Sequence, residues 1–98
     1  MIRVIIPSQL GSLSDAPKEA VIQVDGTVTP NAILDALEVT YPRLKGLLRD
    51  NQTRQRRPMI RYFVAEEDIS HADPDAELPA EVASGKEPFW IVAAISGG

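Results

Sequence analysis

The sequence has 98 residues, with ten Lys and Arg against fourteen Asp and Glu, and a formal net charge of −4 at pH 7. A chain of this length forms one domain around a single core. It contains no cysteine, which excludes disulfides, thiolate metal ligands and a cysteine nucleophile. Its apolar start is too short for a membrane span and lacks the pattern of a signal peptide, so we expect a cytoplasmic protein with no membrane contact.

Charge is distributed unevenly along the chain. Residues 1–64 carry nine Lys and Arg against six Asp and Glu, whereas residues 65–98 carry one Lys against eight Asp and Glu. An acidic second half argues against nucleic-acid binding, which generally requires a basic face. The acidic half either keeps the protein soluble or forms a docking surface for a basic partner.

The first half of the chain begins with two predicted strands. Residues 1–6 and 19–25 alternate between apolar and polar side chains, which is typical of strands with one buried face. Residues 7–18 are rich in Ser, Pro and Gly and are interpreted as the loop of an antiparallel hairpin. The side chains predicted to face the core are Ile2, Val4, Ile6, Ala20, Ile22 and Val24.

A helix is predicted to begin at Thr29. Thr29 suits the N-cap, Pro30 suits the first helical position, and Val28 and Ile33 can form a hydrophobic staple. Pro42 ends or kinks this helix. Apolar residues at helical spacing define its buried face, namely Ile33, Ala36, Leu37 and Tyr41.

The second half of the chain supplies two more strands. Residues 59–64 and 89–95 are predicted strands, whereas residues 50–58 and most of 65–88 are predicted loops, with one short helix or 3₁₀ turn at residues 78–85. A further helical turn is predicted from Leu44, Leu47 and Leu48. This order predicts an α+β fold, with a mixed sheet of four to five strands and one main helix packed on one face.

Three stretches together resemble the ubiquitin-like sulfur carriers, a β-grasp family. They are ILDALEVTYPRLKGLL after Thr29, IRYFVAEEDI in the third strand, and PFWIVAAISGG at the end of the sequence. The family includes the small subunit of molybdopterin synthase, the thiamine sulfur carrier and a carrier used in cysteine synthesis. Two departures are Ala93, where many carriers have proline, and Ala65-Glu66, where an Asn-Gly turn is common. The second departure predicts a longer or differently shaped turn.

The resemblance implies a role for the end of the chain. Residues 1–95 would form the β-grasp domain, and residues 96–98 a flexible tail. A ubiquitin-activating-type adenylyltransferase would use ATP to adenylate the Gly98 carboxylate, and a sulfurtransferase or cysteine desulfurase would supply sulfur for a thiocarboxylate. An acceptor enzyme, such as a synthase large subunit, would receive that sulfur. Gly97 and Ser96 are small enough to thread through a narrow channel.

The last strand has a second face that the resemblance places on the outside of the sheet. An apolar patch there, beside a reactive tail, would be a docking surface for partners. Alternatively, the acidic loop of residues 65–88 folds over Trp90 and buries it. The proposed docking residues are Trp90, Val92, Phe63, Arg61 and Met59.

Other polar groups give weaker signals. His71 lies among scattered carboxylates, but one histidine in a loop has no recognised metal-ligand spacing, so no metal site and no intrinsic cofactor are predicted. The basic cluster within residues 54–57 is interpreted as a solvated loop, with phosphate or an acidic partner as the alternative. Residues 66–68 are acidic, yet no catalytic constellation accompanies them, so no enzymatic activity is predicted. Two alternative functions remain: a ubiquitin-like modifier joined through Gly98 to lysines, and a β-grasp interaction module.

Overall fold

The computed structural model describes residues 1–94 of the chain. Its strands are β1 (Ile2–Ile5), β2 (Glu19–Ile22), β3 (Ile60–Val64), β4 (Glu67–Asp68) and β5 (Phe89–Ala93). Its α-helices are α1 (Ser8–Ser14), α2 (Pro30–Thr40) and α3 (Ala80–Ala83), and a 3₁₀ helix spans Pro42–Leu44.

All five strands belong to one mixed sheet with the order β2-β1-β5-β3-β4. The last strand is therefore the central one: β5 is parallel to β1 and antiparallel to β3. The remaining pairs, β1–β2 and β3–β4, are antiparallel. The predicted α+β fold with a sheet of four to five strands is confirmed.

The core forms where α2 covers the inner face of this sheet. Phe89 and Ile91 on β5 are buried, and the Phe89 ring lies 5.3 Å from the Tyr62 ring of β3, centroid to centroid. Because side chains alternate along a strand, Trp90 and Val92 point to the opposite face. The helix contributes three fully buried apolar side chains to this core, Ile33, Leu34 and Leu37.

Helix α2 begins where the sequence predicts. The Thr29 side-chain oxygen accepts a hydrogen bond from the Ala32 backbone N–H at 3.0 Å, and Pro30 occupies the first turn. After Thr40 the chain tightens into the 3₁₀ helix at Pro42, which cannot continue the hydrogen-bonding pattern of an α-helix. The predicted helical turn is present there, with Leu44 and Leu48 fully buried.

The connection from β1 to β2 differs from the predicted loop. It contains α1, which begins after Pro7 and ends at Asp15 with a left-handed φ of 59°. The segment SQLGSLS has weak helix propensity, so its helix depends on packing: Leu10 lies against the core and Ser14 is buried. The two strands still pair antiparallel, as predicted.

The turn after β3 is neither longer nor differently shaped than an Asn-Gly turn, so the prediction for it is wrong. Val64 pairs with Glu67, so only Ala65 and Glu66 separate β3 from β4. Both have positive φ, 49° and 69°, as the two central residues of a type I′ turn do. The Asn-Gly turn is therefore replaced by residues that adopt the same left-handed backbone at a steric cost.

Two further boundaries differ in detail. β2 ends at Ile22 rather than at residue 25, which leaves Val24 half-buried beyond the strand. The short strand β4 lies within the predicted loop of residues 65–88, whereas the short helix predicted in that loop is present as α3. No helix among residues 1–94 is long and apolar enough to cross a membrane.

The strained turn gives a stability prediction. Replacing Ala65 by Asn and Glu66 by Gly restores residues that adopt positive φ readily, so we expect the free energy of unfolding to rise by about 1 kcal/mol. Chemical denaturation of the double variant measures this change. The turn geometry is wrong if stability is unchanged or lower.

A matched control is the double variant Ala72→Asn with Glu77→Gly. Both residues are exposed, and neither has positive φ. The same two amino acids introduced there relieve no strain, so no gain in stability is expected.

Candidate docking surface and tail exit

The described chain ends at the centre of the sheet. The Ala94 backbone N–H donates to the Met59 carbonyl oxygen at 2.7 Å, which continues the β5–β3 pairing one residue beyond Ala93. Residues 95–98 lie outside the described residues, so the roles of Ser96, Gly97 and Gly98 and the flexibility of the tail remain predictions. Any segment that follows Ala94 starts from this position on the sheet.

The outer face of the sheet next to this point is apolar and open. Trp90 is 43% exposed, Val92 37% and Met59 40%. Of the two alternatives for Trp90, the structure therefore supports the exposed one, because the acidic loop leaves it uncovered. Phe63 is half-buried directly across from Trp90 in the β3–β5 register.

Two depressions flank Trp90. One is a hollow lined by Phe63, Glu66, Trp90 and Val92. The other is a groove between α1 and β5, whose lining includes Ile5, Trp90 and Val92 and the charged side chain of Lys18. The groove exists because β1 pairs with β5 only as far as Trp90, while β3 accompanies β5 to Ala93. The docking surface is thus a ridge with a recess on each side.

Arg61 lies on the same face, but its guanidinium group takes part in a polar cluster. Its Nη1 atom is 3.2 Å from His71 Nε2 and 3.9 Å from an Asp68 carboxylate oxygen. Arginine can only donate, so His71 Nε2 is the acceptor in this contact. Hydrogen bonds from Ser70 hold the pKa of Asp68 below its ordinary value. Within residues 1–94, no group of His, Asp and Glu could hold a metal ion.

An ion cluster between α2 and the buried Arg49 was not predicted. Arg49 is only 3% exposed, and its guanidinium group donates to Asp35, Glu38 and Asn31 on α2. Arg54 also donates to Asp35 at 2.8 Å. The signal in the sequence was the pair Asp35 and Glu38, three residues apart on the polar face of α2, together with Arg49 just before the polar loop of residues 50–58.

The basic cluster of residues 54–57 is likewise engaged in structure. Arg56 donates to three backbone carbonyls, including that of Ile60 at 2.6 Å, and Arg57 donates to that of Gly46 at 3.0 Å. These contacts fold the loop of residues 50–58 against the body of the protein. Arg54 and Arg57 lie exposed on a surface loop as predicted, and the hydrogen bonds to the protein are a feature that the sequence did not predict.

The ion cluster shifts the pKa of Asp35 and of Arg49. Burial by itself would raise the pKa of Asp35, but hydrogen bonds from Arg49 and Arg54 outweigh burial and hold it below its ordinary value. Burial would likewise lower the pKa of Arg49, yet Glu38 and Asp35 raise it. Asp35 and Arg49 are therefore both charged at neutral pH, and their contact couples α2 to the loop that follows Leu48.

Comparisons with known proteins bear on the fold. No protein-family model matches the sequence, and no curated protein matches it by sequence. A chain of the BexX/CysO complex of Amycolatopsis orientalis matches in structure with a TM-score of 0.74 at 22% identity, over 100% of both chains. CysO of Mycobacterium tuberculosis, described as an antigen, gives a TM-score of 0.73 at 22% identity, over 97% of this chain and 100% of its own.

SAMP1 of Haloferax volcanii is similar to the same degree. Its TM-score is 0.75 at 20% identity, and the match covers 99% of this chain and 98% of its own. The chain has the β-grasp fold. The resemblance to ubiquitin-like carriers seen in the sequence is confirmed at the level of this fold, along the whole chain.

The buried arginine leads to a prediction about stability and pH. Arg49→Met leaves the Glu38 side chain, which is only 10% exposed, without its cation, so we expect the free energy of unfolding to fall by about 3 kcal/mol at pH 7. Because the folded pKa of Asp35 is lowered, its contribution is present above the unfolded pKa and lost as pH falls through the folded value. The variant should therefore lose less stability on acidification than the parent. Denaturant titrations at pH 7 and at acidic pH measure both differences.

Arg43→Met is the matched control. Arg43 pairs with Asp15 at 2.8 Å, but both side chains are exposed, 70% and 79%. A surface pair of this kind contributes at most about 1 kcal/mol. Equal losses in the two variants would contradict the structural role of the Arg49 cluster.

Proposed function

We propose that this protein is a sulfur carrier, with the Gly98 carboxylate as the group that is activated and loaded with sulfur. The observation that carries the proposal is the full-length match in fold to CysO, in a sequence that ends in Gly97-Gly98. In this role the folded part catalyses nothing itself. It is the domain that partner enzymes bind in order to position the tail in their active sites.

The chemistry requires activation because a carboxylate is negative and has no leaving group. A ubiquitin-activating-type adenylyltransferase would bind ATP, and the Gly98 carboxylate would attack the α-phosphate, releasing pyrophosphate. A hydrosulfide equivalent would then attack the acyl carbon and displace AMP, leaving a thiocarboxylate. The cofactor ATP thus belongs to the partner, as does the sulfurtransferase or desulfurase that supplies the sulfur.

The exposed outer face of the sheet is suited to binding by a partner enzyme. Trp90, Val92 and Met59 form an apolar surface beside Ala94, the last described residue before the tail. A partner that buries these side chains gains affinity from burying apolar area. The active site of the partner can then lie at a fixed distance from the docking surface, within reach of the four residues that follow Ala94.

Intact-mass spectrometry tests the proposal. The protein is produced together with the adenylyltransferase and sulfur source of its own organism, after its mass has established that Gly98 has a free α-carboxylate. We expect the mass to increase by the difference between sulfur and oxygen. Tandem fragmentation should locate the change at Gly98.

Two variants serve as controls for this measurement. Deletion of Gly98 removes the site and should abolish the mass change, whereas Arg43→Met, on the exposed Arg43–Asp15 pair, should leave it intact. Adducts of Gly98 with lysine side chains of other proteins, with no thiocarboxylate, would identify a modifier instead of a carrier. An unchanged mass in the presence of active partner enzymes would leave the interaction module as the remaining function.

A further inference from the structure

The hollow beside Trp90 combines aromatic surface with a single carboxylate. Its lining consists of Phe63, Glu66, Trp90 and Val92. Glu66 occupies the turn between β3 and β4 with a φ of 69°, and this turn places the residue at the rim of the hollow. Aromatic faces carry a negative quadrupole that attracts cations, and a carboxylate beside them adds to the attraction.

We infer that this hollow binds an arginine side chain presented by the protein that docks on this face. The inference rests on the proposed function, which requires a partner on the same surface. Arginine suits the hollow better than lysine, because its planar guanidinium group can stack on an aromatic ring and donate in parallel to a carboxylate. It is also less strongly hydrated than an ammonium group.

The surrounding charges favour a cation in the hollow. Glu66 is followed by Glu67 and Asp68, and none of the ion pairs found within residues 1–94 involves Glu66. The nearest arginine on this face, Arg61, directs its guanidinium group to His71 and Asp68. The chain's own cations therefore leave the Glu66 carboxylate available to a partner.

The groove on the other side of Trp90 has the opposite character. Its lining is mainly apolar, and its one charged residue is the cation Lys18. A partner arginine is therefore repelled from the groove and attracted to the hollow. This asymmetry confines the arginine site to the β3 side of Trp90 and makes its position testable.

Binding of small probes tests the inference on the intact protein. Nα-acetyl-arginine methylamide is titrated at constant ionic strength and followed by NMR amide shifts and by the fluorescence of Trp90, the only tryptophan. The isosteric citrulline derivative is the uncharged control, and lysine and norleucine derivatives complete the series. We expect saturable shifts around Phe63, Glu66, Trp90 and Val92 for arginine, and weaker binding of the other three.

Variants then identify the contacts. Glu66→Gln and Trp90→Leu should each weaken arginine binding by about two- to fivefold, the size expected for surface ion pairs and cation–π contacts. Glu77→Gln, which removes an exposed carboxylate outside the hollow, should leave binding unchanged. Amide spectra of the free variants confirm that each is folded.

Several outcomes would overturn the inference. Equal binding of citrulline or norleucine would indicate apolar contact without charge recognition, and equal binding of lysine would remove the preference for arginine. Unchanged affinity in Glu66→Gln, or shifts confined to other acidic residues, would place the cation elsewhere. None of these outcomes alters the mass measurement at Gly98, so failure of this inference is distinguishable from failure of the proposed function.

Discussion

The structure depends on the placement of the last strand between the first and the third. β5 is parallel to β1 and antiparallel to β3, so residues from both ends of the sequence must meet before the sheet is complete. The buried side chains Val4, Phe89 and Ile91 lie in this central region. β5 is paired on both sides at Phe89 and Trp90, and β3 alone accompanies it to Ala93, so its last residues are tied to the sheet through β3.

The alternation of side chains along β5 gives one short segment two tasks. Phe89 and Ile91 fix it in the core, while Trp90 and Val92 point outward to the docking surface. Because the period of a strand is two, a shift of register by one residue would exchange these sets. The five-residue β3–β5 pairing therefore determines both the packing of the core and the composition of the candidate docking surface.

The sequence predicted the fold well where local signals agree with tertiary packing. Thr29 and Pro30 define the start of α2, and alternation placed Ile2, Val4 and Ile22 correctly on the buried face. Prediction from the sequence failed where contacts between distant residues determine the local structure. Helix α1 forms from a weak helical segment because Leu10 packs on the core, and Arg49 finds its carboxylates across a turn that sequence spacing alone does not specify.

The five predicted docking residues differ in their contacts, and only the structure shows this difference. All five lie on or beside the outer face, but Arg61 is drawn into contacts with Asp68 and His71 while Trp90 remains open. The turn at Ala65 and Glu66 explains part of this arrangement, because its left-handed backbone brings Glu66 to the hollow beside Trp90. An Asn-Gly turn would relieve the strain but would place no carboxylate there. Steric cost in this turn thus accompanies a charged group at the rim of the candidate docking surface, which links the local backbone to the proposed recognition of a partner.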